Sequence, residues 1–208
     1  MQSKVQRTLA LAAGLLASGL LFSAPAGADA TPEMLSNTCA GCHGTNGVSA
    51  GPGMPSIAGM PANLLKGLMK EYKEGKRPAT VMDRIAGGYS DAEIDAIATH
   101  LSKQKWLNAK AHPNSKMGTP VDAKLAKQGK ELQKKCEKCH ENAGRGQEDD
   151  TARLAGQWVD YLLLKMADYK DPELRQKIPQ PEKMAKQMDE KTLDELKALA
   201  HFYASQTD

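Results

Sequence analysis

All four cysteines of the 208-residue chain fall in two copies of one five-residue motif, "CAGCH" at 39–43 and "CEKCH" at 136–140. Few short motifs constrain a fold so tightly, because C-x-x-C-H is the attachment signature of a c-type haem. The two thiols add across the porphyrin vinyls, and the adjacent histidine is carried beneath the iron as its proximal ligand. A redox dithiol would want a thioredoxin-like βαβ pattern around it, which the sequence lacks. A structural zinc needs four ligands per site, so each pair would have to borrow elsewhere or both would pool into one site. We therefore expect two covalently bound haem c groups, attached through Cys39, Cys42, Cys136 and Cys139, with His43 and His140 as iron ligands.

The motifs belong to a longer internal repeat. A shift of 97 positions that superimposes them also aligns Leu35 with Leu132, "IAG" at 57–59 with "LAG" at 154–156, Leu65 with Leu162, Met69 with Met166, Tyr72 with Tyr169 and Lys73 with Lys170. Towards the end of each copy the shift becomes 102, matching Ile94 with Leu196, Ile97 with Leu199 and Ala98 with Ala200, so the second copy carries a five-residue insertion in or near "DPELRQKIPQP". Two tandem domains are expected, over 29–104 and 121–208, joined by the linker 105–120, "KWLNAKAHPNSKMGTP". Units of this size rarely stabilise themselves on side chains alone. The whole chain has only nine aromatic residues, so a haem in each core would supply the missing flat apolar mass.

Residues 1–28 are built like a secretory signal: Lys4 and Arg7, then an apolar run over 9–22, then Ala26-Gly27-Ala28 as a small-residue cleavage site, with Ala30 as the neighbouring alternative. That run is about 14 residues long, where a spanning helix needs roughly 20, so we expect cleavage, export to the periplasm and no membrane span in the mature chain. Removing the leader takes away two of 28 basic residues and none of 25 acidic ones, leaving a balance of +1. Such a balance provides no strong field for nucleic acid or an anionic membrane.

The fold class is expected to be all-α, with each domain wrapped around one haem. "SDAEIDAIATHLSKQ" sets Ile94, Ile97, Ala98 and Leu101 on one stripe behind a Ser90/Glu93 capping box, and "TLDELKALAHFYASQ" repeats this with Leu193, Leu196, Ala200 and Tyr203. Further helices are expected before each haem motif and over about 62–74 and 158–170. No segment shows sustained strand alternation.

The sixth iron ligand decides between electron transfer and open-site chemistry. Only Met69 with Met166 and Met82 with Met184 stay in register in the repeat. Met69 lies on the apolar stripe of a helix beside Leu65 and Tyr72, which reads as core. Met82 and Met184 fall in what reads as an irregular stretch before the last helix, where the chain can cross the far haem face. We take these two as distal ligands, with Met188 the rival in the second domain. His100 and His201 do not align with each other and read as ordinary helix histidines. Pro55, in "GPGMPSIAG", has a locked φ and can present its carbonyl rigidly to the His43 Nδ1 proton. Ala152 stands at the equivalent place, which leaves room for a different arrangement there. Arg77, Arg84, Tyr89 and Trp158 are further polar groups able to reach haem propionates.

These residues resemble those of tandem diheme class I cytochromes c. "CAGCHGTNGVSAGPGMPSIAGM" followed by "EYKEGKRPATVM" is similar to the c-four type electron carriers. In the second half "CEKCHENAGRGQEDDTARLAGQW" lacks a glycine after the histidine and the usual proline-rich loop. With "EKMAKQM" and the terminal "FYASQ", that half is more similar to the haem subunit of flavocytochrome c sulfide dehydrogenase. The resemblance implies a periplasmic heterodimer in which a separate FAD-bearing flavoprotein oxidises sulfide and this chain takes the electrons, passing them to a soluble acceptor such as a small cytochrome c. It also implies His43 with Met82 on the first iron and His140 with Met184 on the second. The chain has nothing like a dinucleotide-binding G-x-G-x-x-G fold, so FAD and sulfide chemistry would reside in the partner, and the chain alone would not be an enzyme. A free diheme carrier feeding a terminal oxidase is the alternative. A diheme peroxidase-like enzyme would need an open iron, against which the methionines in both repeats argue.

Overall fold

Helix starts are written into the sequence by capping side chains. Thr31 Oγ1 accepts from the Met34 N–H at 3.2 Å with Pro32 in the first turn, starting α1 (Pro32–Asn37). Ser90 and Glu93 form the expected capping box of α5 (Asp91–Ser102), with bonds of 3.2 and 2.7 Å. Asp122 caps α6 (Ala123–Leu132), and Thr192 with Glu195 caps α9 (Leu193–Ser205) by a second box. Between these lie α2 (Ala40–His43), α3 (Ala62–Lys73), α4 (Met82–Gly87), α7 (Val159–Lys170) and α8 (Glu182–Glu190). The computed structural model describes residues 29–146 and 150–207; the leader expected over 1–28 lies outside the described residues. The fold is all-α: no strand occurs among the described residues, and none of their helices is long and apolar enough to cross a membrane.

The repeat reappears as packing. In the first copy α1 and α3 both lie against α5, and α4 lies against α3; in the second α6 and α7 lie against α9, and α8 against α7. One apolar cluster joins Leu35, Leu65, Ile97, Ala98 and Leu101, and the other joins Leu162, Leu196, Leu199, Ala200 and Tyr203, with Leu132 packed against it. Apart from Leu196, whose register partner Ile94 is buried outside the first cluster, these are residues that the register pairs, so each copy buries its own stripe. α6 approaches α9 closely at Gly129, where a Cβ would stand 2.2 Å from the Ala198 carbonyl oxygen and 2.6 Å from Phe202 Cβ.

Residues 105–120 pack closely along both copies. Trp106 joins the first core, while the Asn108 side chain donates to the Gln206 carbonyl at 2.6 Å and the Ala109 N–H to the Gly156 carbonyl at 2.8 Å. The insertion of the second copy also reaches the first: the buried Arg77 guanidinium pairs with Glu71 at 2.6 Å and donates to the Pro179 carbonyl at 3.1 Å.

Two glycines should respond oppositely to alanine. Gly129→Ala forces α6 off α9 and is expected to cost about 1–3 kcal/mol, the range for overpacking. Gly67→Ala, mid-α3 with open space around it, should gain up to about 1 kcal/mol from helix propensity. Thermal melting of the two variants checks the signs.

Candidate haem sites

Both C-x-x-C-H motifs are wound into a turn by the same pair of bonds. The His43 and Cys42 N–H groups donate to the Cys39 carbonyl at 2.9 and 3.2 Å, and those of His140 and Cys139 to the Cys136 carbonyl at 2.9 and 3.1 Å. Residues three and four apart in such a turn share a face, so two thiols and one imidazole are presented together. The chain then folds back: the Gly47 carbonyl accepts from Ile57 and Ala58 at 2.7 and 3.0 Å, and the Gly144 carbonyl from Leu154 and Ala155 at 2.9 and 3.0 Å. This turn needs left-handed backbone, which Asn46 (φ 56°) and Gly47 (φ 78°) supply in one copy and Ala143 (φ 58°) and Gly144 (φ 84°) in the other. The copies differ directly after the histidine. Gly44 takes φ 74° there, whereas Glu141 stands in its place and the extra left-handed residue moves to Asn142, a type that tolerates it.

The fold-back carries a carbonyl to each imidazole. His43 Nδ1 lies 3.0 Å from the Pro55 oxygen and His140 Nδ1 3.1 Å from the Ala152 oxygen. A carbonyl can only accept, so Nδ1 must hold the proton and Nε2 keeps its lone pair for a metal. Pro55 thus acts as expected, and Ala152 makes the same bond without a proline. Burial pushes both imidazoles below the ordinary histidine range, with the carbonyl bonds opposing it, which favours the neutral form that ligates.

The rest of each site fits a covalent haem better than the alternatives. No disulfide joins the four cysteines; Cys39 and Cys136 are half-buried, while Cys42 and Cys139 are exposed. Among the described residues no group of three His, Cys, Asp or Glu side chains gathers to hold a metal, so the pooled zinc site is not built. At the second site the Tyr203 hydroxyl, on a side chain only 1% exposed, sits beside the Cys136 thiol without a hydrogen-bond partner of normal geometry. An orphaned buried hydroxyl beside Cys136 suits a pocket that receives a polar group of a bound ligand. Leu101 occupies the register position of Tyr203, so this feature belongs to the second site alone, and the sequence comparison of the copies could have singled it out.

The irregular stretch expected before each last helix requires a correction. The stretches holding Met82 and Met184 are helical: Met82 opens α4, and Met184 lies in the third position of α8. Both side chains are half-buried. Met188, one turn further along α8, is packed against the second apolar cluster, and Met166 likewise. The residues weighed as propionate donors all have protein partners: Arg77 with Glu71, Arg84 with the Thr80 carbonyl, Tyr89 with Thr38, and Trp158 with the Ser49 carbonyl. The His100 ring bonds to Gln104 at 3.0 Å. His201 is buried and accepts the Asp122 N–H at 3.0 Å, which ties α9 to the cap of α6.

Comparison with known proteins agrees with this geometry. The cytochrome c family pattern matches residues 32–105. The chain is 30% identical to cytochrome c4 of Pseudomonas aeruginosa over 161 residues, covering 76% of this chain and 79% of that protein. It is 40% identical to the cytochrome subunit of sulfide dehydrogenase of Chlorobaculum tepidum over 114 residues, half of this chain and 99% of that one. The chain belongs to the cytochrome c family. As a cytochrome c it carries covalently bound haem c, and its work is electron transfer. It is also 33% identical to a thiosulfate dehydrogenase electron acceptor of Stutzerimonas stutzeri, over 60% of this chain and 59% of the length of that relative. The crystal structure of cytochrome c4 from Pseudomonas stutzeri superposes with a TM-score of 0.72 at 22% identity, covering 85% of this chain and 97% of that one, which shows the tandem class I cytochrome c fold.

The His201 bond has a pH signature. Burial lowers the pKa of this cytochrome's His201 from 6.5, so on acidification the unfolded chain takes up the proton first. Its contribution to stability is complete above about pH 6.5 and is lost as pH falls through the lower folded value. Urea titrations of the holoprotein at pH 7.5 and 5.5 should show a smaller loss on acidification for His201→Gln than for the wild type.

Proposed function

We propose that the chain is a diheme electron-transfer subunit, with one haem c on Cys39 and Cys42 and another on Cys136 and Cys139. The observation that carries the count is the doubled histidine geometry, two imidazoles each with Nδ1 on a backbone carbonyl at 3.0 and 3.1 Å. A bound haem supplies a one-electron couple whose potential depends on its axial ligands and surroundings. The protein holds each imidazole in one tautomer and orientation, and its burial shields the iron-binding nitrogen from protons. His43 and Met82 would ligate one iron, His140 and Met184 the other. Met188 is engaged in core packing, which supports Met184 as the ligand of the second. Replacing Met82 or Met184 by alanine should abolish the near-infrared thioether charge-transfer band of one oxidised haem and leave that of the other; an unchanged spectrum removes the residue from the ligand set.

The donor in this reading is an FAD-containing sulfide dehydrogenase subunit in the periplasm, joined to this chain as a heterodimer, and the acceptor is a small soluble cytochrome. Similarity to the sulfide dehydrogenase cytochrome subunit across nearly that protein's whole length supports it. The longer alignment with cytochrome c4 favours the second reading, a free diheme carrier. Purification from the native host separates them. A flavin absorbance that co-elutes with the haem bands and is reduced by sulfide is the expected result, and a flavin-free monomer establishes the free carrier.

A further inference from the structure

Two neighbouring side chains of the second copy join the loops that hold the histidines: the Trp158 indole N–H donates to the Ser49 carbonyl at 3.3 Å, and Gln157 reaches the peptide beside the His43 acceptor. Gln157 follows directly on the fold-back that brings Ala152 to His140. Its side chain, 2% exposed, reaches into the first copy and pairs with the backbone of Ser56, itself 2% exposed. Ser56 N–H donates to Gln157 Oε1 at 3.1 Å, and Gln157 Nε2 donates to the Ser56 carbonyl at 2.8 Å. The Pro55 carbonyl and the Ser56 N–H belong to one planar peptide unit. That unit is pinned at its oxygen by His43 and at its nitrogen by Gln157.

We propose that Gln157 of the second copy is a positioning residue for His43, setting the orientation and basicity of the first copy's iron ligand from across the interface. Rotation of the Pro55–Ser56 peptide would break both bonds together, so the amide clasp fixes where the carbonyl points. Donation from the N–H end also polarises the peptide and makes its oxygen a stronger acceptor for the imidazole proton. A stronger acceptor makes the histidine a more basic ligand. The device runs one way. In register Gln157 replaces Met60, a buried core residue of the first copy, and Ser56 is replaced by Arg153. Polar substitution of a core position is expensive unless the group is fully bonded, and here both ends of the amide are.

The inference rests on His43 as an iron ligand, so the test first counts covalent haems in the wild-type holoprotein by mass and absorbance and locates the paramagnetically shifted His43 ring by NMR. Absence of the first haem, or an unshifted His43, overturns that assignment and the clasp with it. With the assignment intact, Gln157→Met keeps the side chain's length without the amide. It should raise the first haem's midpoint potential and speed exchange of the His43 Nδ1 proton at least tenfold, with His140 unmoved. Asn114→Ala, which removes a 3.2 Å bond onto the Ala50 carbonyl of the same copy, should leave both readouts unchanged. Unmoved potential and exchange in Gln157→Met, or equal shifts at both haems, overturn the proposal. Wild-type exchange gives an independent reading: the His43 Nδ1 proton should exchange at least tenfold more slowly than that of His140, and equal rates count against the clasp.

Discussion

A haem iron needs a neutral imidazole held at one angle, and in both copies of this chain a backbone carbonyl twelve residues downstream holds the histidine of the motif in that tautomer. Most of the local structure follows from bringing that carbonyl back. The chain must reverse within the interval, which requires a left-handed pair ending in glycine. The carbonyl of that glycine then accepts two N–H groups, closing the loop. One residue beyond, Gly59 and Gly156 dock onto the last helix of their copies through 2.9 Å bonds to the Leu101 and Tyr203 carbonyls. The haem motif is thereby tied to the helix whose apolar stripe makes the core.

This dependence explains what could be read from the sequence and what could not. The capping boxes at Ser90 and Thr192, the apolar stripes and the paired core residues are local or periodic features, and the register exposed them directly. Pro55 was legible for a narrower reason than the structure gives: its rigidity suggested the bond, yet Ala152 makes the same one, because the loop closure at Gly144 positions the carbonyl. The segment around Met184 reads as loop when attention stays on the ligand. Met184 and Met188 are nevertheless four residues apart with Glu182 in the first turn, a helical pattern that Pro181 can precede without penalty. Gln157 was missed because a glutamine in a loop carries no signal by itself. Its meaning lies in its replacement of a buried methionine by an amide whose partners are 101 residues away.

The two copies have diverged where they face each other and at their haem motifs, while keeping the scaffold. Arg77 illustrates the first. Its guanidinium is buried with one carboxylate, Glu71, and a carbonyl from the five-residue insertion, so the insertion supplies a lone pair that the first copy alone cannot. A buried guanidinium is tolerated when its donors are satisfied, and removing one partner leaves an uncompensated charge. Such a contact therefore ties the interface to one arrangement more than it adds to stability.

Divergence at the motifs has a different consequence. The first site has Gly44 after its histidine and Leu101 on the last helix; the second has Glu141 and Tyr203. Leu101 and the buried Tyr203 hydroxyl are unequal surroundings for a charge change at iron, and the hydroxyl beside Cys39 is instead that of Thr38, 3.9 Å from its sulfur and already bonded to Tyr89. Two sites built on one backbone plan would otherwise be equivalent. In the proposed relay, which takes electrons on one side and gives them up on the other, such inequality would give the pair a direction. Here it arises from a few side chains set into a scaffold that the repeat has otherwise kept.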